Sequence, residues 1–181
     1  GGRDSGVMCI EVGSGKKTML AGHESWIGGM ARAGDDLVLT SDYAGCVIAW
    51  NCSGERPALR WKISAHPSTI LALAVSAGGR TFATGDRDGS VRLWQSGDGK
   101  MMHEFVKNEH PIYGLALHPD GKRLITADRR PQKPTIQVWD ITSGKELLKI
   151  EVPELSGYRR VEDIEWGGIR NLTLSPDGSL I

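Results

Sequence analysis

The sequence of 181 residues has no excess of one charge, no long apolar run and only three cysteines. Its 22 Lys and Arg balance 22 Asp and Glu, so it lacks the positive charge on which nucleic-acid affinity usually depends. The longest apolar run, Ile70 to Val75, is far shorter than the ~20 residues that span a bilayer. The first residues contain no apolar stretch typical of a secretion signal. We therefore expect a cytoplasmic protein without membrane or nucleic-acid partners.

The cysteines do not suggest a disulfide framework or a metal site. Cys46 and Cys52 fall in one strand-like segment, which puts them about 20 Å apart at ~3.3 Å per residue and beyond disulfide reach. No CxxC spacing occurs. Glycine, in contrast, is abundant, with 24 residues. Because glycine is typical of tight turns, this abundance predicts many short strands.

A repeat of about 44 residues organises the sequence. Trp50, Trp94 and Trp139 end three similar apolar runs and lie 44 and 45 residues apart. Three histidines, His23, His66 and His110, follow the same period. This period matches the ~40–45 residues of a four-stranded propeller blade.

Each repeat reads as four short strands separated by glycine-containing turns. The first strand of each unit follows the histidine, and a further such strand is predicted from Ile169 to Ser175. We expect a single array over residues 1–181. Its predicted units are 23–65, 66–109 and 110–167, with a split unit made of 168–181 plus 1–22.

The unit 66–109 resembles a WD repeat, and Trp139-Asp140 supplies the dipeptide that names this family. In the WD-repeat family a His, a Ser or Thr, an Asp and a Trp form a hydrogen-bonded tetrad, in which buried polar groups satisfy one another. The resemblance implies that His66, Thr84, Asp88 and Trp94 form such a tetrad. It implies further members His23, Thr40 and Trp50, with Ala44 in the place of the acid, and His110, Thr126 and Trp139.

The resemblance implies an all-β WD-repeat β-propeller with four four-stranded blades, one of them split between the two ends of the chain. Members of the family usually close with about seven or eight blades. The chain is therefore a fragment of a larger ring, a closed ring of four blades, or one half of an eight-bladed ring. An open arc of four blades would leave sheet flanks that promote aggregation. The resemblance implies inner strands shaped for wider rings than four blades, so we favour the last, a homodimer in which each copy completes the split blade of the other.

The predicted inner strands contain no Asp or Glu that could act as a general acid, a general base or a cation ligand. We therefore expect no enzymatic activity, no cofactor and no metal. We predict a scaffold that binds other proteins. The alternatives are a self-assembling structural unit and a ligand-binding or enzyme-associated propeller.

Two insertions indicate where a partner binds. Residues 129–134 and 153–168 extend loops that project from the same face in the family, and adjacent units carry them. Arg, Tyr and Trp dominate binding energy at protein interfaces. The alternative is that the aromatic rings cover blade edges and the arginines pair with nearby carboxylates. The candidate partner-binding residues are Trp26, Tyr43, Arg129, Arg130, Lys133, Tyr158, Arg159, Arg160 and Trp166.

Overall fold

A computed structural model describes residues 5–54, 56–105, 107–130, 133–155, 159–161, 164–166 and 168–181, with the backbone alone for 159–161 and 164–166. Within these ranges the chain is almost entirely β, with a single short 3-10 helix at Pro153–Leu155. The all-β prediction is thereby confirmed. Over the same ranges, no helix is long and apolar enough to cross a membrane.

The strands follow the chain as successive antiparallel sheets. A hairpin comes first, with strands β1 (Val7–Ile10) and β2 (Lys17–Leu20). The first four-stranded sheet contains β3 (Ile27–Arg32), β4 (Leu37–Asp42), β5 (Cys46–Asn51) and β6 (Ala58–Ser64). The second contains β7 (Ile70–Val75), β8 (Thr81–Asp86), β9 (Val91–Gln95) and β10 (Met101–Glu104).

The third four-stranded sheet is followed by a second hairpin. The sheet contains β11 (Ile112–Leu117), β12 (Arg123–Asp128), β13 (Thr135–Asp140) and β14 (Glu146–Glu151). The hairpin contains β15 (Arg159–Val161) and β16 (Ile164–Trp166). Each of the three predicted units 23–65, 66–109 and 110–167 thus contains one complete four-stranded sheet.

The sheets stand side by side, because the inner strand β7 contacts β3 on one side and β11 on the other. Apolar side chains fill the space between them. Phe82 on β8 is fully buried and stacks between Trp61 of the first sheet and Trp94 of its own sheet, at centroid distances of 5.8 and 6.0 Å. The same packing continues to the third sheet through Leu93 and Leu124.

The two parts of the predicted split blade lie on different sheets. The β1–β2 hairpin packs on the first sheet, where Val7 and Leu20 contact the cluster containing Trp50. Segment 168–181 packs on the third sheet through Ile169 and Leu172. Within the described residues, no hydrogen bond joins the two parts, and 168–181 contains no strand. The strand predicted at 169–175 is absent, and among the described residues no strand pairs with this segment.

Candidate interaction face

In the first sheet a buried histidine bonds two side chains of strand β4 through its ring nitrogens. His23 Nδ1 lies 2.8 Å from Asp42 Oδ2, and His23 Nε2 lies 2.6 Å from Thr40 Oγ1. The Trp50 indole N–H donates to the same hydroxyl at 2.8 Å. The sequence predicted that this unit lacks its acid, with Ala44 in its place. That prediction is wrong, because Asp42 supplies the carboxylate and accepts the backbone N–H of Ala44.

The second sheet repeats this network and corrects a second assignment. His66 lies 2.9 Å from Asp86 Oδ2 and 2.7 Å from Thr84 Oγ1, and Trp94 donates to Thr84 at 2.8 Å. Asp88, predicted as the acid, is exposed and only donates its backbone N–H to Asp86. The reason is strand geometry: side chains two apart share a face of a strand, so Thr84 and Asp86 point to the same side.

In the third sheet only part of the network is present. Trp139 donates to Thr126 at 3.0 Å, and Asp128 Oδ1 accepts the backbone N–H of Thr135 at 2.8 Å. His110 is half-buried, and in the described part of the chain it makes no hydrogen bond to Thr126 or Asp128. The assignment of His110 to the tetrad is therefore corrected.

Counting back from the inner strand explains the position of His110. His23 and His66 each precede the first strand residue by four positions, whereas His110 precedes Ile112 by two. Asn108 stands four positions before Ile112. Its backbone N–H donates to Gly89 O, as the N–H of His66 donates to Gly45 O.

The buried His–Asp pairs of the first two sheets are structural. The side chains of His66 and Asp86 are inaccessible to solvent, as are those of His23 and Asp42, so no substrate reaches them. Burial would raise the pKa of Asp86, but hydrogen bonds from His66 and from backbone N–H groups outweigh it and lower that pKa. The carboxylate is therefore charged and fully engaged in hydrogen bonds.

One group of side chains has the composition of a metal centre. Ligand atoms of His23, Asp42 and Cys46 lie within 4.8 Å of one another. Burial and the Asp42 carboxylate raise the pKa of the Cys46 thiol to about 11, which keeps the thiol protonated. Metal binding requires a thiolate and would break the bond between His23 and Asp42. The group therefore fits a closed hydrogen-bond network better than a metal site.

Three turns reach the same end of the three sheets. The residue after each network aspartate, namely Tyr43, Arg87 or Arg129, donates its N–H to the residue preceding the inner strand. These three bonds, to the carbonyls of Trp26, Thr69 and Pro111, are 2.9 to 3.0 Å long. They place equivalent side chains side by side on one surface. We call this surface the loop face and define it by Trp26, Tyr43, Thr69, Arg87, Tyr113 and Arg129.

Two candidate aromatic residues meet on the loop face. The rings of Trp26 and Tyr43 are 6.2 Å apart, and each side chain is about half exposed, at 49% and 45%. Tyr43 lies against Gly28, where an added Cβ would come within 2.7 Å of its ring. The Thr69 hydroxyl from the next sheet donates to the Tyr43 carbonyl at 3.0 Å. The backbone of this turn is thus held from both sides.

The basic candidates are divided between the loop face and ion pairs. Arg129 lies 5.1 Å from the centroid of the Tyr113 ring and contacts its hydroxyl. Arg130 approaches Glu109 at 3.9 Å, and Lys133 approaches Glu151 at 3.2 Å. Tyr158 lies outside the described residues. The side chains of Arg159, Arg160 and Trp166 also lie outside them.

Arg87 and Tyr113 belong to the loop face but were not predicted. Arg87 is exposed and occupies the position of Tyr43 and Arg129 in the second sheet. The sequence could have identified Arg87, because the pattern Thr-x-Asp recurs at Thr40, Thr84 and Thr126 and the residue that follows it lies on the loop face. The pattern does not identify Tyr113, which lies on β11.

Comparisons with known proteins agree with this architecture. A family model described as WD domain, G-beta repeat, matches residues 58–95 and 99–140. The chain is 32% identical over 151 residues to the nuclear distribution protein nudF of Aspergillus niger, covering 82% of this chain and 28% of nudF. It is 25% identical over 141 residues to the small ribosomal subunit protein RACK1y of Oryza sativa subsp. japonica, covering 76% of this chain and 40% of RACK1y.

Solved structures show the same fold. The structure of U3-55K superposes with a TM-score of 0.65 at 20% identity, over 72% of this chain and 41% of that one. The chain thus spans less than half the length of each of these proteins.

Proposed function

Because the chain belongs to the WD-repeat family, whose members are generally protein-interaction scaffolds, we propose that it binds other proteins through its loop face and catalyses no reaction. The half-exposed pair of Trp26 and Tyr43 is the observation that carries this proposal. Aromatic residues of this kind are the usual anchors of protein interfaces.

The aromatic pair is held in place before a partner arrives. The Tyr43 N–H donates to the Trp26 carbonyl, and the Tyr43 carbonyl accepts from Thr69. A partner therefore orders few groups when it binds, which lowers the entropic cost of association. Rigid loops on a sheet scaffold are a common location of binding residues.

The charge beside the aromatic pair suggests the chemistry of the partner. Arg87 is exposed on the neighbouring turn, and Arg129 lies one sheet further on. Arginine binds carboxylates through paired N–H groups. We propose that the partner presents an apolar or aromatic side chain next to acidic residues.

The remaining candidates extend this proposal. Arg130, Lys133, Tyr158, Arg159, Arg160 and Trp166 come from the two insertions. Replacing Arg159 and Arg160 by glutamate should weaken capture of an acidic partner and leave the melting temperature nearly unchanged. A large loss of thermal stability would mean that the two arginines are structural.

Affinity capture with matched variants tests the function. Proteins retained by the wild-type chain are compared with those retained by the Trp26→Ala/Tyr43→Ala variant. Met101 and Met102, which are 48% exposed on the outer strand β10, provide the control variant Met101→Ala/Met102→Ala. We expect the loop-face variant to lose a partner that the control retains. Equal retention by both variants would refute the proposal.

Self-association is a second candidate function, and exposed apolar side chains at the two flanks favour it. Met8, Ile10 and Met19 on the first hairpin are 51–55% exposed, and Leu148 and Ile150 on β14 are 51% and 40% exposed. Contact between these flanks in two copies would bury both surfaces and bring 168–181 of one copy to the hairpin of the other. Light scattering should then give twice the mass of the chain, and a strict monomer would refute it.

A cytoplasmic location completes the proposal. Cys9, Cys46 and Cys52 are free thiols, which suits a reducing compartment. Fluorescent tagging of the whole protein tests this location directly, and accumulation in a secretory compartment would contradict it.

A further inference from the structure

A cavity lies between the first two sheets, at the end of their strands opposite the loop face. Its volume is about 580 Å³. Asp36 of the first sheet and Gly79 and Arg80 of the second line it. An added Cβ at Gly79 would come within 2.2 Å of Gly34 N, so the turns of the two sheets are in direct contact here. The cavity is therefore a feature of the junction between two sheets and not of one turn.

Backbone hydrogen bonds hold the wall of this cavity. The Ser96 N–H donates to the Arg80 carbonyl at 2.9 Å, and the Cys52 N–H donates to the Asp36 carbonyl at 2.6 Å. The Trp61 indole N–H, from the first sheet, donates to the Ser96 carbonyl at 3.1 Å. Because the backbone is fixed in this way, a partner that binds here orders few groups.

Two arginines line the cavity, and both are exposed. Arg60 belongs to the outer strand β6, and Arg80 lies in the turn before β8. Over the part of the chain that the structure describes, neither guanidinium group forms a hydrogen bond or an ion pair, whereas that of Arg92 pairs with Glu104. The N–H groups of both arginines are therefore available to a ligand.

A β-bulge positions Arg60. The pairing of β5 with β6 shifts its register so that Arg60 has no residue opposite it. In the second and third sheets the equivalent bulge residues are Met102 and Leu147, which are apolar. Bulges redirect a side chain and are frequent beside functional sites. Of the three four-stranded sheets, the first thus places a cation at this position.

The charges in the wall indicate which ligand fits. Two arginines and Asp36 give the lining a formal charge of +1, since +2 − 1 = +1. A single carboxylate neutralises this charge, whereas a phosphate dianion exceeds it. Arginine also binds carboxylates through paired N–H groups.

We propose that this cavity, which we call the arginine cavity and define by Asp36, Arg60, Arg80, Gln95 and Gly97, binds a carboxylate side chain in an acidic segment of a partner protein. Its residues are separate from those of the loop face, so one chain can hold a different partner at each end. Failure of this proposal would leave the loop-face proposal unchanged.

Two-dimensional NMR of the whole chain titrated with a hexaglutamate peptide tests the proposal. The Trp61 indole N–H, which bonds to the cavity wall, and the Gly97 backbone N–H should shift saturably. The backbone N–H signals of Tyr43 and Arg87 report separately on binding at the loop face. Added salt should weaken the peptide, because exposed charges are screened.

Matched variants distinguish the cavity from general charge attraction. Arg60→Gln/Arg80→Gln should weaken hexaglutamate binding by about tenfold or more, because the paired charged hydrogen bonds are lost. Lys17→Gln/Lys145→Gln removes two positive charges from exposed positions outside the cavity and should change the affinity by less than about twofold. Both variants should melt like the wild type, since across the described ranges these four side chains form no hydrogen bond or ion pair.

Four results would overturn the proposal. One is equal weakening by the two double variants, and another is a set of shifts confined to Tyr43 and Arg87. A third is tighter binding of an oligothymidylate of the same charge, which would identify a phosphate ligand. Glu55 lies outside the described residues, and saturable binding found only in Glu55→Gln would mean that its carboxylate already occupies the cavity.

Discussion

Replacing Asp86 by asparagine tests the corrected hydrogen-bond network most sharply. Its carboxylate accepts from His66 at 2.9 Å and from the backbone N–H groups of Asp88 and Ser90 at 2.9 and 2.8 Å. Hydrogen bonds to a charged group contribute roughly 1.5–3 kcal/mol each, and asparagine keeps one acceptor oxygen. Losing the equivalent of one or two such bonds in a buried site should lower the free energy of unfolding by about 3 kcal/mol.

Urea denaturation followed by tryptophan fluorescence measures this loss. For a chain of this size, ~3 kcal/mol corresponds to a decrease in melting temperature of about 6–12 °C. Asp88→Asn is the matched control, because the exposed Asp88 side chain contributes nothing to the network, and its unfolding curve should follow that of the wild type. Equal destabilisation by both variants, or a larger effect at Asp88, would refute the assignment of Asp86.

Three further measurements probe packing, backbone conformation and pH. Phe82→Ala should cost about 3–5 kcal/mol in chemical denaturation, since it empties the stack between two tryptophans; a cost below 1 kcal/mol would contradict that packing. Gly45→Ala should lower the melting temperature strongly, because Gly45 has a φ of +85° and an added Cβ would lie 2.0 Å from His66 O. Gly13→Ala is the control, since an added Cβ there meets no atom within 4 Å, and its melting temperature should be nearly unchanged. The pKa of Asp86 is lower in the folded state, so its contribution to the free energy of unfolding is present above the ordinary pKa of about 3.9 and is lost as pH falls through the lower folded-state value. The free energy of unfolding of Asp86→Asn should therefore depend less on pH in this acidic range than that of the wild type.

The sequence was sufficient to predict the repeated sheets. Trp50, Trp94 and Trp139 are each the last residue but one of the third strand of a four-stranded sheet, in keeping with their 44- and 45-residue spacing. This signal is strong because a strand pattern repeated in three units leaves few alternative folds.

The tetrad residues within each repeat could be assigned correctly only by counting along the chain from a strand residue. The resemblance to the family assigned the acid to Asp88, whereas strand alternation from Thr84 selects Asp86. His110 follows the 44-residue period, but it lies only two residues before its inner strand, whereas His23 and His66 lie four residues before theirs. The period alone did not reveal this difference.

Pairing of surface charges was not predictable from the sequence. Arg130 and Lys133 pair with Glu109 and Glu151, which lie on other segments of the chain, so no local pattern connects them. The positions of the two parts of the split blade were equally inaccessible, because a repeat phase says nothing about contact between distant segments.

Hydrogen exchange of the chain with and without a captured partner tests binding through the loop face most directly. Partner binding should slow exchange in the turns at 43–45 and 87–89, which carry Tyr43 and Arg87. The turns at 34–36 and 78–80, at the opposite ends of the same strands, should exchange at unchanged rates. Protection confined to those opposite turns would contradict the proposed binding face.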